Sequence, residues 1–173
     1  MASEIRGSDN FDSATVGITS GTAVASTSGT SIDFTGIPAG VKRVTVMFGG
    51  VSTNGTSNYI VRLGTSSGIE ATGYLTTDFG VGGTTTSTAN NTTGFAFRAS
   101  SASNTAHGQT VFNLLDSDSF RWTGAGSLSL SNNAVNYTTT GSKALAGTLD
   151  RIRLTTVNGT DTFDAGSINI LYE

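Results

Sequence analysis

Apolar and polar residues alternate strictly from Arg43 onward, with Val44, Val46 and Phe48 on one face and Arg43, Thr45 and Met47 on the other. A period of two over that length predicts a half-buried strand. Asn54-Gly55, a dipeptide suited to the positive φ of a tight turn, follows, and Tyr59 to Leu63 alternates again. Ser31 to Thr65 is therefore expected to form two or three strands with a hairpin at Asn54-Gly55 and the only proline, Pro38, at one corner.

The same period recurs along the chain. Ala14 to Thr27 reads as two short edge-like strands around Val16, Ile18 and Val24, and Gly68 to Thr77, Phe95 to Arg98 and Leu149 to Val157 as further strands. Gln109 to Asp116 is apolar on both faces, with Phe112 and Leu114 opposed to Val111 and Leu115, as expected of a strand buried on both sides or of one whose outer face lies against another subunit. Phe112 and Leu114, with Leu171 of the closing run Ser167 to Glu173, are the candidate oligomer contacts. Gly124-Ala125-Gly126 interrupts a run from Phe120 to Leu130 and predicts a bulge or bend.

Polar stretches separate these runs. Phe79 to Thr93, FGVGGTTTSTANNTT, has almost no apolar residue after Val81 and is expected to be a long exposed loop. Its Thr and Asn side chains can hydrogen-bond sugar hydroxyls without desolvating charge, which makes Phe79, Thr84, Thr85, Thr86, Asn90 and Asn91 candidate ligand contacts. Ser100 to His107 reads as a shorter polar turn, expected at the opposite end of the module because one strand separates the two. Residues 1–13 show no period, and Ile5 and Phe11 among charges suggest an arm that anchors the chain to a partner. The expected organisation is that arm followed by a single domain over 14–173.

Composition fixes the class. Gly 23, Pro 1 and only 12% charged residues, with abundant Thr, Ser, Val, Ile and aromatics, predict an all-β antiparallel sandwich of about nine to eleven strands without substantial helix. The net charge of −3 and scattered basic residues argue against nucleic-acid binding. Cysteine is absent, which excludes disulfides and thiolate metal sites. No apolar signal region or membrane-length run is present, so synthesis as a soluble protein in the cytoplasm, without membrane insertion, is expected.

Motifs of chemistry are weak. Gly64 to Gly68 matches the nucleophile elbow with Ser66, Asp78 and His107 in hydrolase order, but a strand rather than a helix follows it. Asp78-Phe79-Gly80 lacks the other kinase signatures, and Asp116/Asp118 and Asp161/Asp164 lack calcium-loop spacing, so turn-forming aspartate is the better reading. The Asn-X-Thr triplets at Asn91, Asn136 and Asn158 carry no meaning without a secretory signal. Phe120 to Trp122 could stack on a sugar, though core packing accounts for a single tryptophan in a sandwich. No cofactor and no enzymatic activity are expected.

The run FTGIPAGVKRVTVMFGGVSTNGTSNYIVRLG resembles a module that recurs in tail-fibre and other virion proteins of tailed bacteriophages and prophages, and GTLDRIRLTTVNGTDTFDAGSINILYE, from Gly147 to Glu173, is similar to its last strands. The resemblance spans roughly residues 20 to 173 and implies a jelly-roll-like sandwich, a place in the virion, other virion proteins and a host-surface glycan as partners, and a homotrimer. It supplies no catalytic residues. A capsid decoration or head-fibre protein held by the N-terminal arm is the alternative, and a carbohydrate-binding module or a polysaccharide depolymerase the alternatives from another class.

Overall fold

The computed structural model describes residues 17–99 and 101–173, so the proposed arm with Ile5 and Phe11 lies outside the described residues. Those described form strands and no helix: β1 (Thr19–Ser20), β2 (Val24–Ala25), β3 (Ser31–Thr35), β4 (Arg43–Thr53), β5 (Tyr59–Thr65), β6 (Gly68–Ile69) and β7 (Tyr74–Gly82). There follow β8 (Thr85–Asn91), β9 (Phe95–Phe97), β10 (Ala106–Asp116), β11 (Arg121–Leu130), β12 (Val135–Ala144), β13 (Arg151–Thr156) and β14 (Phe163–Tyr172). The count exceeds the expected nine to eleven because several strands are only two or three residues long.

Two antiparallel sheets pack into a β-sandwich. The larger runs β1-β14-β4-β10-β11-β12-β7-β8, with β2 also on β14. The smaller runs β3-β13-β5, and β6 and β9 share the far side of β5. Pairing is nested: β3 with β13, β4 with β10, β5 with β9 and β7 with β8. A doubled ribbon wrapped around one core gives this jelly-roll order. The hairpin β11-β12 is an insertion between β10 and β7, and it widens one sheet only.

The core lies between the sheets. From the large sheet come Val44, Val46, Phe48, Phe112, Trp122, Leu128, Ile168 and Ile170, and from the small sheet Ile32, Phe34, Tyr59, Val61, Leu63, Ile152 and Leu154. Phe95 of β9 meets Phe112 edge-on at 4.9 Å and Tyr74 at 5.8 Å, so an aromatic row ties β9 to the opposite sheet. Burial pushes the Tyr59 hydroxyl up to about 12, while that hydroxyl donates to the Val51 carbonyl at 3.2 Å.

Four expectations are corrected. β4 and β5 belong to different sheets, so Asn54-Gly55 is a crossover between layers and not a hairpin turn. Its loop is braced by Asp161, which accepts from the Ser57 N–H at 2.9 Å. Phe79 to Thr93 is no loop: β7 and β8 pair without interruption around Gly83-Thr84, where Gly83 has a φ of 58°. Gly124-Ala125-Gly126 lies in unbroken register with both neighbours, and the irregularity falls instead between Leu114 and Asp116. Gly68 to Thr77 is split into β6 and the start of β7.

Candidate functional site

β7 sorts its side chains by alternation. Tyr74, Thr76 and Asp78 point between the sheets, whereas Leu75, Phe79 and Val81 are 70%, 47% and 42% exposed on the outer face. The register extends that face into rows across the large sheet. Asn169, Met47, Gln109, Ser127, Thr138, Phe79 and Thr88 lie side by side, strand after strand. One row along lie Leu171, Thr45, Val111, Ala125, Thr140, Thr77 and Asn90, and on the other side Ser167, Gly49, His107, Ser129, Asn136, Val81 and Thr86. None of the three rows contains Asp, Glu, Lys or Arg.

The charges are elsewhere. On the small sheet Arg153 donates from Nε and a terminal nitrogen to both Asp33 oxygens at 2.7 Å, an arrangement that raises the Arg153 pKa, and Arg151 pairs with Asp150 at 2.9 Å. Inside, the Asp78 carboxylate accepts from Arg98 Nε and from Asn91 Nδ2, each at 2.8 Å. On the outer face of the large sheet Arg43 pairs with Glu173 at one end, next to Thr45 and Leu171, and the three rows beside that pair carry a neutral network. The Ser127 hydroxyl donates to Asn136 Oδ1 at 2.9 Å, Asn136 Nδ2 to the Ser129 hydroxyl at 3.0 Å, and the Thr77 hydroxyl to Asn90 Oδ1 at 2.9 Å.

The candidate ligand contacts divide between the two faces. Phe79, Thr86 and Asn90 share the outer face; Thr85 and Asn91 point the other way, and Thr84 sits in the turn. Asn91 is engaged in holding Asp78. Thr88, Thr138, Thr140 and Asn136 complete the surface; polar side chains facing water leave no apolar period in the sequence. The alternation around Tyr137, which is buried between neighbouring polar residues, is the sequence signal for Asn136, Thr138 and Thr140.

Of the candidate oligomer contacts, Phe112 is fully buried between the sheets and presents no surface, because β10 turns that face inward. Leu114 is partly buried against the same core, and Leu171 is half-buried at the far end of the neutral rows, near Ile18. Leu115 is exposed, so the outer face of β10 is not covered within this chain. Trp122 is 2% exposed and packs in the core, which leaves it unable to stack on a sugar. The loop 101–105 lies at the same end as the β7-β8 turn, not opposite: Ser131 at the β11-β12 turn donates to Thr105, and Val135 just beyond it pairs with Gly82. Strand β8 accounts for this, since one strand more than expected reverses the direction of everything after it.

Ser66, Asp78 and His107 do not meet. Ser66 is in the β5-β6 turn, Asp78 is buried in β7, and His107 is on the outer face of β10, where its Nδ1 accepts from the Gly50 N–H at 3.2 Å. A shallow depression of about 540 Å³ beside that turn is lined by Thr65 to Glu70 and Ala146 to Thr148, and Glu70 there pairs with Lys143 at 2.5 Å. No protein-family model, curated protein or solved structure matches this chain. Rows of hydroxyls and amides around one exposed ring can hydrogen-bond and stack against a polyhydroxylated ligand without stripping water from a charge.

Proposed function

We propose that the chain is a non-enzymatic structural module of a tailed-phage particle, tail-associated, that contacts the host surface through the outer face of the large sheet. The resemblance of Phe34 to Gly64 and Gly147 to Glu173 to virion modules supports the setting. The observation that carries the contact is the set of uncharged rows around Phe79. Surface glycans are neutral in most of their groups, and such a face meets them without a desolvation penalty for ions.

Purified protein binding to immobilised surface polysaccharide of the host tests the contact. Phe79→Ala is expected to weaken binding about tenfold, the worth of one lost ring contact, with an unchanged unfolding midpoint. Unaltered binding overturns the assignment of the face. Immunogold labelling of intact particles tests the setting: label at the tail is expected, label over the capsid favours the decoration reading, and unlabelled particles overturn both.

A further inference from the structure

The molecule treats the edges of its sheets unequally. Among the described residues, beyond β14 lie only β1 and β2, two residues each, and the small sheet ends in β3, with the Asp33–Arg153 pair at its centre, and in the short β6 and β9. Short strands and charges are the usual means of keeping an open edge from pairing. β8 has neither. It runs seven residues, Thr85–Asn91, in continuous register with β7, and no charged residue or proline occurs from Phe79 through Phe97.

Which groups the edge offers follows from the turn. With only Gly83 and Thr84 between them, Gly82 and Thr85 form a mutually hydrogen-bonded pair, and bonded and non-bonded pairs alternate from there. Gly80 with Ser87 and Asp78 with Ala89 are therefore bonded pairs. The N–H and C=O groups of Thr86, Thr88 and Asn90 point away from β7, along the open edge.

The geometry points to a second copy of this chain as the occupant: β8 pairs antiparallel with β8 of another molecule about a two-fold axis through Thr88. That register sets Thr88 against Thr88, Thr86 against Asn90, Thr85 against Asn91 and Ser87 against Ala89. Every outward N–H meets a C=O, no like charges oppose, and Thr–Thr neighbours across strands are favourable. Side chains of β8 are exposed or half-exposed on both faces, so among the described residues nothing overhangs the edge. A foreign strand would bring a new open edge of its own, whereas two-fold pairing closes the assembly and leaves only the blunt ends at β1 and β2. The neutral rows then run unbroken from one molecule into the next. This pairing does not depend on the phage reading.

Sedimentation of the full chain across the micromolar range tests it, with a monomer–dimer equilibrium expected. Thr88→Pro removes an N–H that serves only the open edge, and Thr88→Lys sets like charges together at the axis. Both are expected to sediment as monomers, with the unfolding midpoint that the parent shows at concentrations where it is monomeric. Thr88→Cys introduces the only thiol and is expected to form a covalent dimer on mild oxidation, faster than the exposed Thr22→Cys at the opposite edge. The proposal is overturned by a parent that stays monomeric throughout, by a dimer or trimer that survives both Thr88→Pro and Thr88→Lys, or by cross-linking no faster at 88 than at 22.

Discussion

Tyr74 closes a gap in a sheet with a side chain. On the open side of β5, β9 covers Tyr59 to Val61 and β6 covers Gly64 and Thr65, so the N–H of Leu63 falls between two short strands. That N–H donates to the Tyr74 hydroxyl at 2.8 Å, and the hydroxyl donates in turn to the Glu70 carbonyl at 2.9 Å. Burial drives the Tyr74 pKa above the ordinary tyrosine range, so the hydroxyl keeps its proton. Tyr74→Phe leaves a buried N–H without an acceptor, a loss of ~1–3 kcal/mol. Urea unfolding is expected to show an earlier midpoint with the same slope, and a parent-like midpoint would mean that the gap is closed some other way.

Among the elements, β11 shows why glycine recurs in these strands. A Cβ on Gly124 would lie 2.6 Å from the Phe95 ring and 2.8 Å from the Phe112 ring, so the missing side chain is what lets the aromatic row cross the sandwich. Gly124→Ala is expected to destabilise by ~1–3 kcal/mol through overpacking, read as a lowered thermal midpoint. In the sequence the same glycine suggested a bend, since composition marks it as unusual without saying whether backbone or neighbour needs the space. The alternation of β4 was legible because one of its faces is buried. The Asn54-Gly55 turn was not, because a dipeptide reports the local reversal and not whether the next strand stays in its sheet. β8 escaped notice for the opposite reason to β4: with no buried side chain it has no apolar period, and only its Thr content hinted at a strand. The neutral face was therefore only partly legible, through Phe79, Thr86 and Asn90.

At the level of the whole molecule, nested pairing joins residues far apart in the chain; Asp33 and Arg153 are separated by 120 positions. Few of these contacts can form before the ribbon has doubled back, which makes folding slow for the size, on the order of milliseconds to seconds. Stopped-flow refolding followed by Trp122 fluorescence is expected to fall in that range, and a microsecond phase carrying the full amplitude would contradict it. Among the described residues the inserted β11-β12 hairpin makes the large sheet nine strands against five, and the β8 margin has an open edge and no buried side chain. Stability sets little constraint on what occupies β8, and most substitutions there are close to neutral for folding. Selection for a new binding partner can thus act on this margin without drawing down the thermodynamic reserve that limits adaptation at sites sharing residues with the core.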